Sequence, residues 1–164
     1  MKVDILVRLI EPGDVGEACE VLNEIIRIGG TTALEGALDG ATFSRYYVTG
    51  DDLISCHVVL DMHARVAGFQ WIGRNPKLPK DCADIATFTR RTASVRGTGT
   101  ALFQQTKVFA RKAGYKTINA TIRADNTPGL GYYAKMGFAD YSVARAVLLQ
   151  DGTPVDRISK RLTL

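Results

Sequence analysis

One stretch, residues 94–102 (SVRGTGTAL), constrains this chain more than any other. It places two glycines one residue apart between a strand-like run and an amphipathic run that begins at Leu102. Arg96, Gly97, Thr98, Gly99, Thr100 and Ala101 thus form a sharp turn from a strand into a helix, expected over residues 100–113. Small residues there let several backbone N–H groups converge, and the helix dipole adds positive potential. Such a loop suits a phosphate or pyrophosphate, although the same spelling also serves as a tight turn alone. Two nucleotide-binding motifs are excluded. A Walker loop ends in Gly-Lys-Ser/Thr, whereas this one ends in Gly-Thr-Ala. A dinucleotide fingerprint needs glycine where Leu102 stands, and Asp125 lies beyond the spacing its acidic residue requires.

The rest of the chain limits the setting of that loop. A length of 164 residues fits one domain spanning residues 1–164, which buries roughly 70% of its unfolded surface. The excess of 21 Lys+Arg over 17 Asp+Glu gives a net charge of +4. That suits a small anionic ligand but lacks the clustered aromatic-basic pattern of a nucleic-acid binder. No apolar run approaches the ~20 residues of a membrane span. Asp4 and Arg8 interrupt any signal-like opening, so a cytoplasmic protein is expected. Cys19, Cys56 and Cys82 have no metal-type spacing, and His57 and His63 are too few to complete a zinc set, so no metal is expected. Cys56 and His57, as neighbours in a strand, point to opposite faces and do not form a nucleophile–base pair unaided.

Periodicity predicts alternating strands and helices. Residues 5–10 read as a strand, Asp14 as a helix cap, and residues 15–28 as a helix with Ala18, Val21, Leu22, Ile25 and Ile26 on one face. Gly29 and Gly30 end it. A shorter helix follows at 41–48, then a hairpin of strands at 54–60 and 66–72. A strand at 83–91 leads into the glycine loop and its helix. Residues 116–123 form a strand, 127–135 a short helix, and 139–149 and 156–163 a closing strand pair. This order implies an α/β chain whose mixed, mostly antiparallel central sheet is flanked by helices.

A second motif now joins the first. Residues 126–138 read Asn-x-x-Gly-x-x-Tyr-Tyr-x-Lys-x-Gly-Phe, one helix and one strand after the Arg-Gly-x-Gly-x-Ala loop. Together, in this order, they resemble the GNAT acetyltransferase superfamily over essentially the whole chain. A narrower similarity, carried by Asn23, residues 29–35 (GGTTALE) and Tyr115 to Ile118, points to the phosphinothricin and L-amino-acid N-acetyltransferase branch. The resemblance implies acetyl-CoA as acyl donor, with residues 96–101 holding its pyrophosphate. It implies a strand pair that splays at the cofactor site, where backbone groups near Phe88, Thr89 and Arg91 bind the pantetheine arm. Gly97 and Gly99 would permit close backbone approach to the phosphates. Asn126 would cap the short helix beside the arm, and Tyr133 would lie near the thioester sulfur. The resemblance also implies a homodimer, with the closing strands as a possible surface.

Chemistry assigns provisional roles to these positions. An amine attacks the thioester, an oxyanion forms, and a thiolate leaves. A thiol has a pKa of about 8.5 and a tyrosine about 10, so Tyr133 could protonate the departing sulfur; it could equally only pack the short helix. The branch's glutamate base falls at Ala86. Asp84, two residues earlier on the same strand face, could act through water or could be a solvated strand-end charge. Arg27, Thr32, Glu35, Trp71 and Arg74, with Thr31 and Lys77, are the acceptor-side candidates. Arg74 and Lys77 could clamp a carboxylate or be loop charges. Three functions follow: acetylation of a small-molecule amine such as an amino acid, acetylation of a peptide or protein amine, or acyl-CoA binding with little catalysis.

Overall fold

A computed structural model describes residues 5–164 of the chain. Its elements are β1 (Leu6–Leu9), α1 (Val15–Ile28), α2 (Gly40–Tyr47), β2 (Leu53–Leu60), β3 (Val66–Gly73), β4 (Cys82–Thr89), α3 (Thr98–Lys112), β5 (Thr117–Arg123), α4 (Thr127–Lys135), β6 (Ala139–Leu148) and β7 (Pro154–Thr163). The strands form one seven-stranded sheet in the order β1-β2-β3-β4-β5-β7-β6. Every pairing is antiparallel except β4 with β5. The expected mixed sheet with flanking helices is therefore observed. The expected elements all form, with ends shifted by one or two residues.

Alternation along the strands sends side chains to two different cores. On one face α1 and α2 pack Val21, Leu22, Ile25, Phe43 and Tyr47 against Val58, Phe69 and Phe88. On the other, Phe103 and Ala110 of α3 and Tyr133 of α4 pack against Ile72, Ala83, Ile85, Ile118 and Ala120. Phe43 and Phe69 are fully buried and meet edge to face, with ring centroids 5.3 Å apart. Each such burial stabilises the fold by up to about 3 kcal/mol. Cys56 belongs to the first core, while His57 meets Phe109 of α3 on the opposite face. The two do not form a reactive pair.

Of two local expectations at the ends of α1, one holds and one changes. Gly29 caps α1 with a φ of 75°, as its left-handed requirement demands. Asp14, however, does not cap α1 with its side chain. Its carboxylate accepts two bonds from the Arg8 guanidinium, at 2.7 and 3.0 Å, and one from the Glu11 backbone N–H at 2.8 Å. Arg8, donated from β1, outcompetes the helix for it.

The sheet is covered unevenly. The outermost strand, β6, is exposed along nearly its whole length, including Tyr141, Val143 and Leu148. Among the described residues no helix is long and apolar enough to cross a membrane.

Candidate active-site cleft

The cleft exists because β4 and β5 pair for only three residues. Cys82, Ala83 and Asp84 lie beside Thr117, Ile118 and Asn119, and the two strands then part. Beyond that point β4 stays paired to β3 as far as Thr89, and β5 stays paired to β7 as far as Arg123. Each strand is held by its outer neighbour, so the gap is a built feature of the sheet. The Arg90 N–H donates to the Ala67 carbonyl at 2.8 Å, which fixes the alternation along β4. Residues 84, 86 and 88 therefore direct their backbone groups to β3, and Ile85, Thr87 and Thr89 direct theirs into the gap.

The cofactor assignments sort accordingly. Thr89 offers its backbone to the gap, as does Thr87, which the sequence reading passed over. Phe88 contributes a wall, its side chain packed in the first core. The Arg91 N–H is already taken by Glu24, whose carboxylate also accepts from the Thr92 N–H and hydroxyl. Those bonds, the Thr92 hydroxyl first, hold the Glu24 carboxyl below its usual range. Arg91 is left with its guanidinium on the cleft.

At the mouth of the gap stands the N-terminus of α3. Gly97, at φ 86°, is its left-handed cap residue, and no side chain caps the first turn. The backbone N–H groups of Thr98, Gly99 and Thr100 are therefore free of side-chain partners, and Arg96 and Lys135 line the cleft nearby. The two glycines differ in what they are for. A Cβ at Gly97 would meet nothing, so conformation alone demands glycine there. A Cβ at Gly99 would lie 2.8 Å from the Tyr132 ring, so this glycine serves packing.

Tyr133 lies at the base of the gap, 7% exposed, with its hydroxyl 2.9 Å from the Thr87 Oγ1. Burial pushes its phenol well above the ordinary tyrosine value. Asn126 caps α4 by accepting from the Gly129 N–H at 3.0 Å, and it donates to the Thr31 carbonyl at 2.9 Å. It thus ties the α1–α2 connection to the cleft.

The acceptor side departs most from expectation. Asp84 lies at the closed end of the split, outside the cleft, with its oxygens bonded to Asn119 at 2.9 Å and Asn75 at 3.2 Å. Glu35 is turned away to the β6–β7 connection, where it accepts from the Gln150 N–H at 3.0 Å. Arg74 donates to the Asp51 carbonyl, and Arg27 and Lys77 are exposed and outside the cleft. Thr31 and Thr32 do line it. Trp71 borders a separate cavity of about 130 Å³, walled by Tyr46, Tyr47 and Ala86, and a Cβ at Gly73 would overlap its indole. Tyr47 and Ala86 also line the main cleft, of about 680 Å³, so the two adjoin across these residues.

Among the described residues the lining contains no Asp, Glu, His or Cys side chain; besides the expected Arg91 and Arg96 it contains Arg123, Lys135 and Arg157, which were not anticipated. Arg123 is paired with Asp125 at 2.7 Å. Arg157, beside it in the register of β5 and β7, makes no ion pair among the described residues. Nothing local in its strand sequence marks it, because its place depends on β7 pairing with β5.

The sequence model of the Acetyltransferase (GNAT) family matches residues 33–138. No curated protein matches the sequence. Among solved structures, a GCN5-related N-acetyltransferase from Kribbella flavida superposes with a TM-score of 0.84 at 21% identity, covering 98% of each chain. A phosphinothricin acetyltransferase from Sinorhizobium meliloti, in complex with acetyl-CoA, gives 0.84 at 20% identity over 98% of this chain and 88% of that one. A ribosomal-protein-alanine N-acetyltransferase from Brucella melitensis gives 0.87 at 16% identity over 97% and 99%. At these identities the likeness is one of fold, and the neighbours act on different acceptors.

Proposed function

This chain belongs to the acetyltransferase (GNAT) family, and from that premise we propose that it transfers acetyl from acetyl-CoA to the primary amine of an amino acid with an apolar side chain. The family is acetyl-CoA-dependent, so the donor follows from membership; the acceptor class rests on the cleft. The residues present fit the donor. The uncapped first turn of α3, with Arg96 and Lys135, suits the pyrophosphate. The gap-facing backbone of Thr87 and Thr89 suits an amide-bearing arm laid along β4 as an added strand.

When bound, acetyl-CoA supplies an activated acyl group and a thiolate leaving group. The chain's own residues do the rest. Backbone N–H groups facing the gap are placed to stabilise negative charge on the carbonyl oxygen. Tyr133 retains its proton, since burial raises its pKa, and so acts as a hydrogen-bond donor to sulfur. Among the described residues no carboxylate or imidazole lines the cleft to take the amine's proton. The cationic lining instead disfavours the ammonium form, so the acceptor enters catalysis as the free amine, and the proton its nitrogen sheds after attack passes to water as the thiolate departs.

Arg157 carries the acceptor assignment: like Arg91 and Arg96 it is a cleft guanidinium without an ion pair among the described residues, but it stands on β7 rather than beside the glycine loop, and it suits a carboxylate. The adjoining aromatic pocket of Tyr46, Tyr47 and Trp71, with Ala86, would then take an apolar side chain. The exposed strand β6 is the surface at which a second copy would seat.

The test is thiol release from acetyl-CoA with leucine, phenylalanine, their decarboxylated amines and matching dipeptides. Turnover of the free amino acids, with at least a tenfold higher KM for the decarboxylated amines, is expected. Equal use of both sets, or turnover of dipeptides alone, would overturn the acceptor assignment.

A further inference from the structure

Behind Tyr133 runs a chain of hydrogen bonds whose direction can be fixed by counting protons. The Tyr132 hydroxyl lies 2.7 Å from the Gly99 carbonyl oxygen, in the first turn of α3. A carbonyl only accepts, so Tyr132 spends its single proton there. The contact between Tyr132 and the Gln70 carboxamide, at 3.0 Å, must then have Gln70 as donor. This places the NH2 group, and not the oxygen, toward the tyrosine. The second Nε2 hydrogen points to the Thr87 Oγ1 at 2.9 Å, so Thr87 accepts from Gln70. Gln70 is fully buried, so no solvent rearrangement competes with this order.

One ambiguity is left, between Thr87 and Tyr133, where either oxygen could donate across 2.9 Å. If Tyr133 donates, the Thr87 proton has no other partner among the described residues, and Tyr133 has none to offer the cleft. If Thr87 donates, every proton in the chain is satisfied except one. That one belongs to Tyr133, which lines the cleft. Each arrangement leaves one proton unpaired, but only the second leaves it on Tyr133. A thioester sulfur, which can only accept, would take it there and complete the chain, so that arrangement is the one selected when the acyl donor is bound.

We propose that Gln70 and Tyr132 are positioning residues that polarise this chain from the α3 first turn to Tyr133, so that the Tyr133 hydroxyl presents its proton to the reacting thioester. The inference rests on the role given to Tyr133 above and goes beyond it. It accounts for two residues the reaction does not touch: a glutamine buried in the sheet and a second tyrosine in the Tyr-Tyr pair. It also links the two parts of the cofactor site. The turn whose N–H groups face the phosphates supplies, through the Gly99 carbonyl, the anchor that orders the hydroxyl. Burial holds Tyr132 protonated, its pKa pushed up to about 12, so the anchor persists across working pH.

The experiment is a double-mutant cycle between Gln70→Met and Tyr133→Phe, read as kcat, KM for acetyl-CoA and melting temperature. Gln70→Met is expected to lower kcat about tenfold, the worth of roughly one hydrogen bond, with KM for acetyl-CoA unchanged. In the Tyr133→Phe background it should lower kcat by less than about twofold, because the hydroxyl it orients is already gone. A purely structural role would give the same loss in both backgrounds, and that result would overturn the proposal. If Gln70→Met does not fold, Thr87→Val provides the same cycle at the next link, and Thr87→Ser should restore turnover. Should Tyr133→Phe itself leave kcat unchanged, the Tyr133 assignment and this inference fall together. If Tyr133→Phe slows turnover but the cycle is additive, only the inference falls.

Discussion

The two ends of the cleft are built in different ways. The end proposed for the cofactor is made largely of backbone: the first turn of α3, the gap-facing groups of β4, and Gly97 held at φ 86°. Most of it comes from one stretch of chain. The end proposed for the acceptor is lined by side chains contributed by the α1–α2 connection, α2, β3, β4 and β7. A backbone site tolerates sequence change provided that the glycine geometry and strand pairing persist. A side-chain site changes its ligand with single substitutions. The difference suits an enzyme with a fixed donor and an adaptable acceptor, and it makes the two ends separable by mutation.

Gly97→Glu should give the largest effect at the cofactor end. It forces a carboxylate and a left-handed non-glycine residue into the anion site. Affinity for acetyl-CoA, measured by calorimetry, should fall at least ~100-fold. Binding at parental strength would break the comparison at its firmer side.

The acceptor end should show itself first in pH dependence. With no carboxylate or imidazole in the lining among the described residues, kcat/KM for the amine should rise about tenfold per pH unit up to the acceptor's own ionisation. A plateau beginning near pH 6 would reveal a base that the cleft does not contain. Arg157→Gln should then raise the KM for an amino acid about tenfold, the loss of one charge-assisted contact. The same change should leave acetyl-CoA affinity alone. Comparable damage to both constants would show that the ends are not separable.

The smallest effect serves as a control remote from both ends. The Arg8 guanidinium, with the Glu11 N–H, holds the Asp14 carboxyl below its usual range. Its folded pKa is therefore lower than its unfolded value of about 3.9. The resulting stability is fully present above about pH 4 and is lost as pH falls through the folded pKa. Asp14→Asn should lower Tm by roughly 2–4 °C at neutral pH, as about 1 kcal/mol does in a chain this size. The difference from the parent should vanish in strong acid, and kcat should not change at neutral pH.

This asymmetry also explains what could be read without the structure. Period-2 and period-3.6 patterns placed every strand and helix, because burial on one face leaves a local signature. Asn126 was legible for the same reason, since a helix N-cap is a local demand, whereas the left-handed φ of Gly97 emerged only with the fold. At Gly99 the packing demand was not legible, since its neighbour Tyr132 lies on another helix. Asp84, Glu35, Arg27 and Arg74 were nominated by charge, but charge does not reveal a residue's partner. Glu35 reaches Gln150 and Arg74 reaches Asp51, contacts only the fold supplies. Arg157 and Gln70 were invisible for the converse reason. Each lies in an unremarkable strand, and each acquires its setting from pairing with β5 or β4.

Amide hydrogen exchange with and without saturating acetyl-CoA tests the central claim most directly, because the cofactor end is defined by backbone N–H groups. The account predicts slowed exchange at Thr98, Gly99 and Thr100 and along the gap-facing edge of β4 at Thr87 and Thr89, with α2 unchanged. Unaltered exchange in the first turn of α3 at saturation, or protection concentrated in α2, would contradict it.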